Sequence, residues 1–72
     1  METKATVKTL FEARLENWTG WSARLEKWGE ADEKYYRVLL LDDGGNVRNL
    51  WDFASDECDA AVEKFVAVVM AK

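Results

Sequence analysis

Apolar and polar residues alternate with a period of two from Val7 to Glu16. Val7, Phe11, Ala13 and Leu15 trade places with Lys8, Glu12, Arg14 and Glu16. Period two marks a half-buried strand, because successive side chains leave a strand on opposite faces. Asn17-Trp18-Thr19-Gly20 supplies turn residues. Trp21 to Trp28 then alternates again, with Trp21, Ala23 and Leu25 on one face and Ser22, Arg24, Glu26 and Trp28 on the other. Ala13-Arg14-Leu15-Glu16-Asn17-Trp18 recurs ten residues later as Ala23-Arg24-Leu25-Glu26-Lys27-Trp28. An even offset keeps each Arg on the same face relative to its neighbours, so the echo reads as two arms of a hairpin rather than a solenoid repeat. A helix competes over residues 9–28. Phe11, Leu15, Trp18, Trp21, Leu25 and Trp28 also sit near heptad spacing among good helix formers. Thr19-Gly20 in the middle and the concentration of Trp weigh toward strands.

After a short acidic connection over Gly29 to Lys34, the stretch Tyr35 to Phe53 carries a second hairpin signal. Tyr35 to Leu41 is an almost unbroken apolar run, as in a strand contacted on both faces. Asp42-Asp43-Gly44-Gly45-Asn46 is made of residues that tolerate positive φ. Val47 to Phe53 is the fourth strand. Ser55 is the candidate helix N-cap, with Asp56 and Glu57 in the first turn. Cys58, Ala61, Val62, Phe65 and Val69 then form one apolar stripe at helical spacing. The expected architecture is α+β in a single domain. Residues 1–6 are a frayed polar start, residues 7–53 a four-stranded antiparallel sheet, and residues 55–71 a C-terminal helix (β-β-β-β-α).

The last turns of that helix are apolar all round. One side covers the sheet, and Val66 and Met70 are left for water in a monomer. A helix end of this kind is expected to be covered, and in so short a chain a homodimer contact is the common device. The β-branched Val66, Val68 and Val69 also allow a non-helical end, which removes that argument.

Composition narrows the function. The chain has 72 residues, a net charge of −4, one Cys and no His. A lone Cys excludes a disulfide framework and cannot build a structural zinc site. Cys58 lies on the expected buried stripe with no base beside it, so a structural role is expected rather than a nucleophilic one. The carboxylates fit turns, surfaces and a helix start. Asp42 to Asn46 lacks the alternating ligands and closing Glu of a calcium loop. The expectation is a protein that is not an enzyme and takes no cofactor, metal or small-molecule substrate. Without an apolar leader or a run long enough to span a bilayer, the expected location is the cytoplasm.

The sheet face away from the helix holds the candidate site. With Phe11, Ala13, Leu15, Trp21, Ala23, Leu25, Tyr36, Val38, Leu40, Val47, Trp51 and Phe53 turned to the helix, alternation leaves Arg14, Arg24, Arg37 and Arg48 on the other side, one per strand. Trp18, Trp28, Tyr35, Leu39 and Leu50 interleave with them. Arg and aromatics on an open sheet are a common way to hold single-stranded nucleic acid, by stacking on bases and pairing with phosphates. Glu12, Glu16, Glu26 and Asp52 fall on the same face and can neutralise those Arg across strands. The face then reads as a protein interface, where Trp, Tyr and Arg are enriched. A small acidic interaction factor, such as a phage-type inhibitor of a host system, is the alternative function.

Gly20-Trp21, Leu25, Trp28, Glu30-Ala31, Lys34-Tyr35 and the helix opening Ser55-Asp56-Glu57 carry a resemblance. In these residues the chain resembles the YdbC-type single-stranded-DNA-binding proteins, bacterial relatives of the eukaryotic positive-cofactor transcriptional coactivators. The matches are single residues and pairs from Gly20 to the C-terminus. The resemblance implies a four-stranded antiparallel sheet with one helix, a dimer formed through that helix, and single strands bound across the sheet. It adds Trp21, Trp28, Lys34 and Tyr35 as family-like positions. Asn49-Leu50-Trp51-Asp52-Phe53 replaces that family's basic, Gly-containing approach to the helix.

Overall fold

A computed structural model describes residues 6–30 and 33–72. Four strands, β1 (Thr6–Arg14), β2 (Ser22–Glu30), β3 (Glu33–Leu41) and β4 (Val47–Ala54), precede one helix, α1 (Cys58–Val69). The sheet is antiparallel throughout, in the order β1-β2-β3-β4. The expected β-β-β-β-α architecture is therefore the observed one, and residues 9–28 form hairpin arms rather than a helix. Ala13 stands opposite Ala23, so the two copies of the sequence echo face each other across the hairpin. Of the expected frayed start, residues 1–5 lie outside the described residues, as do Ala31 and Asp32 of the acidic connection.

Helix α1 lies over β2, β3 and β4 and closes a single core. Leu25 and Val38, directly paired, are fully buried beneath it, with Ala23, Leu15, Ala61, Phe65 and Val68 around them. Side chains of this size contribute about 1.5–3 kcal/mol each when fully buried. The chain is two layers thick, with principal dimensions of 43 × 26 × 16 Å. One face of the sheet is thus covered, and the other has no layer over it among the described residues.

Several local expectations change. A β-bulge at Leu10, between Thr9 and Phe11, breaks the period-two pattern of β1. The extra residue flips the parity of everything before it. Val7 therefore pairs with Trp28 on the open side, while Phe11 pairs with Leu25 on the helix side. A second irregularity between Leu40 and Leu41 moves Val47 out of the helix-facing set: it stands opposite Leu41 and is exposed.

Ser55 does not cap α1. It lies in a turn, and the N-cap position falls on Glu57, which makes no side-chain cap bond. Glu57 Oε1 instead accepts the Ala54 N–H at 2.9 Å, fastening the helix start to the end of β4. The buried stripe is Ala61, Phe65 and Val68, flanked by Val62 and Val69. Cys58, at the first turn, is exposed rather than buried. It sits beside Tyr36, whose hydroxyl titrates above its ordinary range because of a hydrogen bond to Cys58, then burial, then the charge a Cys58 thiolate would carry.

Candidate functional site

Register determines which side chains share the open face, because directly opposed residues point the same way. Glu12 faces Arg24, Glu26 faces Arg37, Trp28 faces Tyr35, Arg37 faces Asp52 and Leu39 faces Leu50. Arg14 belongs to this side too, opposite Ser22. The centre of the face is aromatic. The Trp28 and Tyr35 rings lie nearly parallel, 11° apart with centroids at 6.0 Å. The Arg37 guanidinium lies 4.7 Å from the Trp28 ring centre and 5.4 Å from that of Tyr35. Such contacts contribute about 0.5–1 kcal/mol where exposed.

Carboxylates take up three of the four arginines; Arg14 makes no salt bridge among the described residues. Arg37 donates from Nε and Nη2 to the two Asp52 oxygens at 2.7 and 3.2 Å, a bidentate pair. Arg24 donates from Nε and Nη2 to Glu12 Oε2 at 3.0 and 2.8 Å, and its Nη1 lies 3.5 Å from Glu26. Arg48 reaches Asp42 at 3.8 Å. Hydrogen bonding, to Glu12 and to Asp52 respectively, raises the Arg24 and Arg37 pKa above the ordinary guanidinium value. Glu26 is the one buried polar or charged residue among the described ones, at 6% exposure. The Trp28 indole N–H donates to its Oε1 at 3.0 Å. One carboxylate thus orients the indole and balances Arg24, and so carries no unmet hydrogen bond.

Apolar area completes the face. Leu39 and Leu41, both 8% exposed, are buried on the side away from the helix core. Leu50 and Val47, opposite them, are exposed. The result is a leucine floor beside an aromatic and arginine cluster, with positive and negative groups interleaved.

Two expected site residues are elsewhere. Trp18 lies in the β1–β2 loop and packs on Trp21, ring centroids 5.2 Å apart, so it belongs to the helix side of the sheet. The loop, not strand alternation, decides its direction. Lys34 pairs with Gly29 and shares the parity of Tyr36, on the face opposite Tyr35. Trp28, Tyr35, Arg24 and Arg37 do fall together, whereas Arg14 lies opposite Ser22 at the other end of β2 and Arg48, at the β3–β4 irregularity, reaches only Asp42. Glu26 joins them as a site residue that the pattern does not single out, because alternation places it on the face but does not show that it is buried. Its signal in the sequence is a position two residues from both Arg24 and Trp28.

Among the described residues, no group of His, Cys, Asp and Glu is placed to hold a metal ion, and no helix is long and apolar enough to cross a membrane. No family of known proteins matches the chain, and neither a curated protein nor a solved structure matches it. The resemblance to the YdbC-type proteins rests on the residues alone.

Proposed function

We propose that the chain is a non-enzymatic binding module that docks a protein partner on its open sheet face. The observation that carries this reading is the state of the arginines: Arg24, Arg37 and Arg48 each have a carboxylate within 4 Å. Those carboxylates already offset the guanidinium charges, so the face offers little net attraction to a nucleic-acid backbone. Rigid aromatics and Arg with a polar surround are what protein hot spots use. A molecule whose two longer dimensions are 43 and 26 Å has room on one side for the ~800 Å² that each partner gives to a standard interface.

Single-stranded nucleic acid is the second reading. The Trp28–Tyr35 pair with Arg37 favours it, because such a platform stacks on bases. Titrating the intrinsic Trp fluorescence with oligo-dT at low and moderate salt separates the two. Saturable quenching that fades with salt supports the strand reading. A flat response up to tens of micromolar, together with protein adducts from a photo-reactive residue at Leu50, supports protein docking. A nucleic-acid adduct at that position contradicts it.

Homodimerisation through Val66 and Met70 is part of the proposal. Their exposures of 46% and 56% on the outer side of α1 support it. A cytoplasmic setting fits a chain whose single cysteine is free.

A further inference from the structure

A groove of about 330 Å³ opens on the helix side of the sheet, between the end of α1 and β4. Three of the four tryptophans, Trp18, Trp21 and Trp51, line it, with Leu15, Leu40 and Val68. One end of it is held in shape by hydrogen bonds. Glu16 N–H donates to Val69 O at 3.0 Å, and Asn17 Nδ2 donates to Ala71 O at 3.1 Å, so the loop carrying Trp18 is tied to the helix C-terminus. The volume falls at the small end of the ~300–1,000 Å³ range of ligand pockets, and an apolar wall with few polar groups is their usual make-up.

The polar groups here are donors. Lys64 lines the groove with its ammonium 4.8 Å from the Trp51 ring centre. Among the described residues it makes no salt bridge, whereas Arg24, Arg37 and Arg48 each do. Asn49 also lines the groove. Its Oδ1 already accepts the Leu50 N–H, which leaves its NH₂ to donate. No carboxylate side chain lines the groove among the described residues.

We propose that this groove binds a small organic acid, with an aromatic or branched apolar body between the indoles and its carboxylate at Lys64 and Asn49. The site is separate from the open face and does not depend on the docking proposal. The charge of Lys64 against a wall without carboxylates selects an anion, and the indole walls select a flat or bulky apolar body. An amine of the same shape would set like charges together.

Phenylpropionate, phenylpropanol and phenylpropylamine serve as matched anionic, neutral and cationic probes. The readout is the indole N–H signals of the four tryptophans in a nitrogen-15 NMR titration, assigned by single Trp→Phe variants. Phenylpropionate is expected to shift Trp18, Trp21 and Trp51 while leaving Trp28 in place. The alcohol is expected to bind about tenfold more weakly, as for loss of one charge-assisted hydrogen bond, and the amine more weakly still. Lys64→Met, which keeps the aliphatic stem, is expected to abolish the preference for the acid, and Lys64→Arg to retain it. Absence of any shift overturns the proposal. So do shifts confined to Trp28, or binding of the amine as tight as that of the acid. An unchanged preference in Lys64→Met overturns the role given to Lys64.

Discussion

If carboxylates mask the open face, removing them should convert it into a binder of single-stranded DNA. The perturbation is Glu12→Gln, Glu26→Gln and Asp52→Asn together. It releases Arg24 from Glu12 and Glu26 and Arg37 from Asp52, while the amide oxygen introduced by Glu26→Gln can still accept the Trp28 N–H. The stability cost is small. The Arg24–Glu12 and Arg37–Asp52 pairs are partly exposed, and such pairs contribute about 0.2–1 kcal/mol each. Neutralising Glu26 removes a buried charge, and Arg24, 35% exposed, keeps contact with water. If each freed guanidinium gains about 1 kcal/mol net from a phosphate, two give roughly 30-fold in affinity. Two phosphate contacts on a single strand steepen the dependence of log K on log salt by about 1.4. Fluorescence anisotropy of labelled oligo-dT at several salt concentrations reads both quantities. Asp59→Asn with Glu63→Gln on α1 is the control: it changes net charge without freeing an arginine. Equal affinity and equal salt slope in the parent and the triple variant would refute the masking argument. An equal gain in the control would refute it as well, because net charge alone would then explain the effect.

Other outcomes follow from the packing. Leu25→Ala, at a position 1% exposed, should cost about 2–5 kcal/mol, a large share of the ~5–15 kcal/mol that holds a domain together; urea unfolding measures it. Gly20→Ala should cost about 1–3 kcal/mol, since φ is +84° and the new Cβ would stand 2.8 Å from the Asp43 Cβ; the same unfolding curves test it. Asp42 accepts the backbone N–H groups of Asn46 and Gly44, which hold its carboxyl below the usual carboxylate value. With the folded-state pKa depressed, its contribution is present above about pH 4, the unfolded value. It is lost as pH falls through the lower folded value, so Asp42→Asn should flatten the acid limb of a stability-against-pH profile. Met70→Lys should shift sedimentation from a dimer toward the 8.3 kDa single chain; a parent already at that mass would contradict dimerisation through α1.

Alternation carried most of the fold because it is a local property of each strand. Phe11, Ala13, Ala23, Leu25, Val38 and Trp51 fall on the helix side as their spacing predicts, and Arg24, Trp28, Tyr35 and Arg37 fall opposite. Parity is conserved only while each residue advances the pleat by one. The bulge at Leu10 and the shift at Leu40–Leu41 each break that count, which is why Val7 and Val47 leave the faces their spacing predicts. A loop has no period to read. Trp18 is aimed by its packing on Trp21 and by the tie between its loop and α1, which spans most of the chain. The burial of Glu26 depends on neighbours from two strands at once. The aromatic groove depends on β4 and α1 converging on that loop.

The open sheet face is proposed to dock a protein. A photo-reactive residue at Leu50, compared with one at Glu63 on the outer surface of α1, tests it inside the source cell. Protein docking there should give a discrete adduct from Leu50 that survives nuclease, is destroyed by protease, falls sharply when Trp28→Ala is added, and is absent from Glu63. An adduct destroyed by nuclease, equal labelling from both positions, or indifference to Trp28→Ala would contradict it.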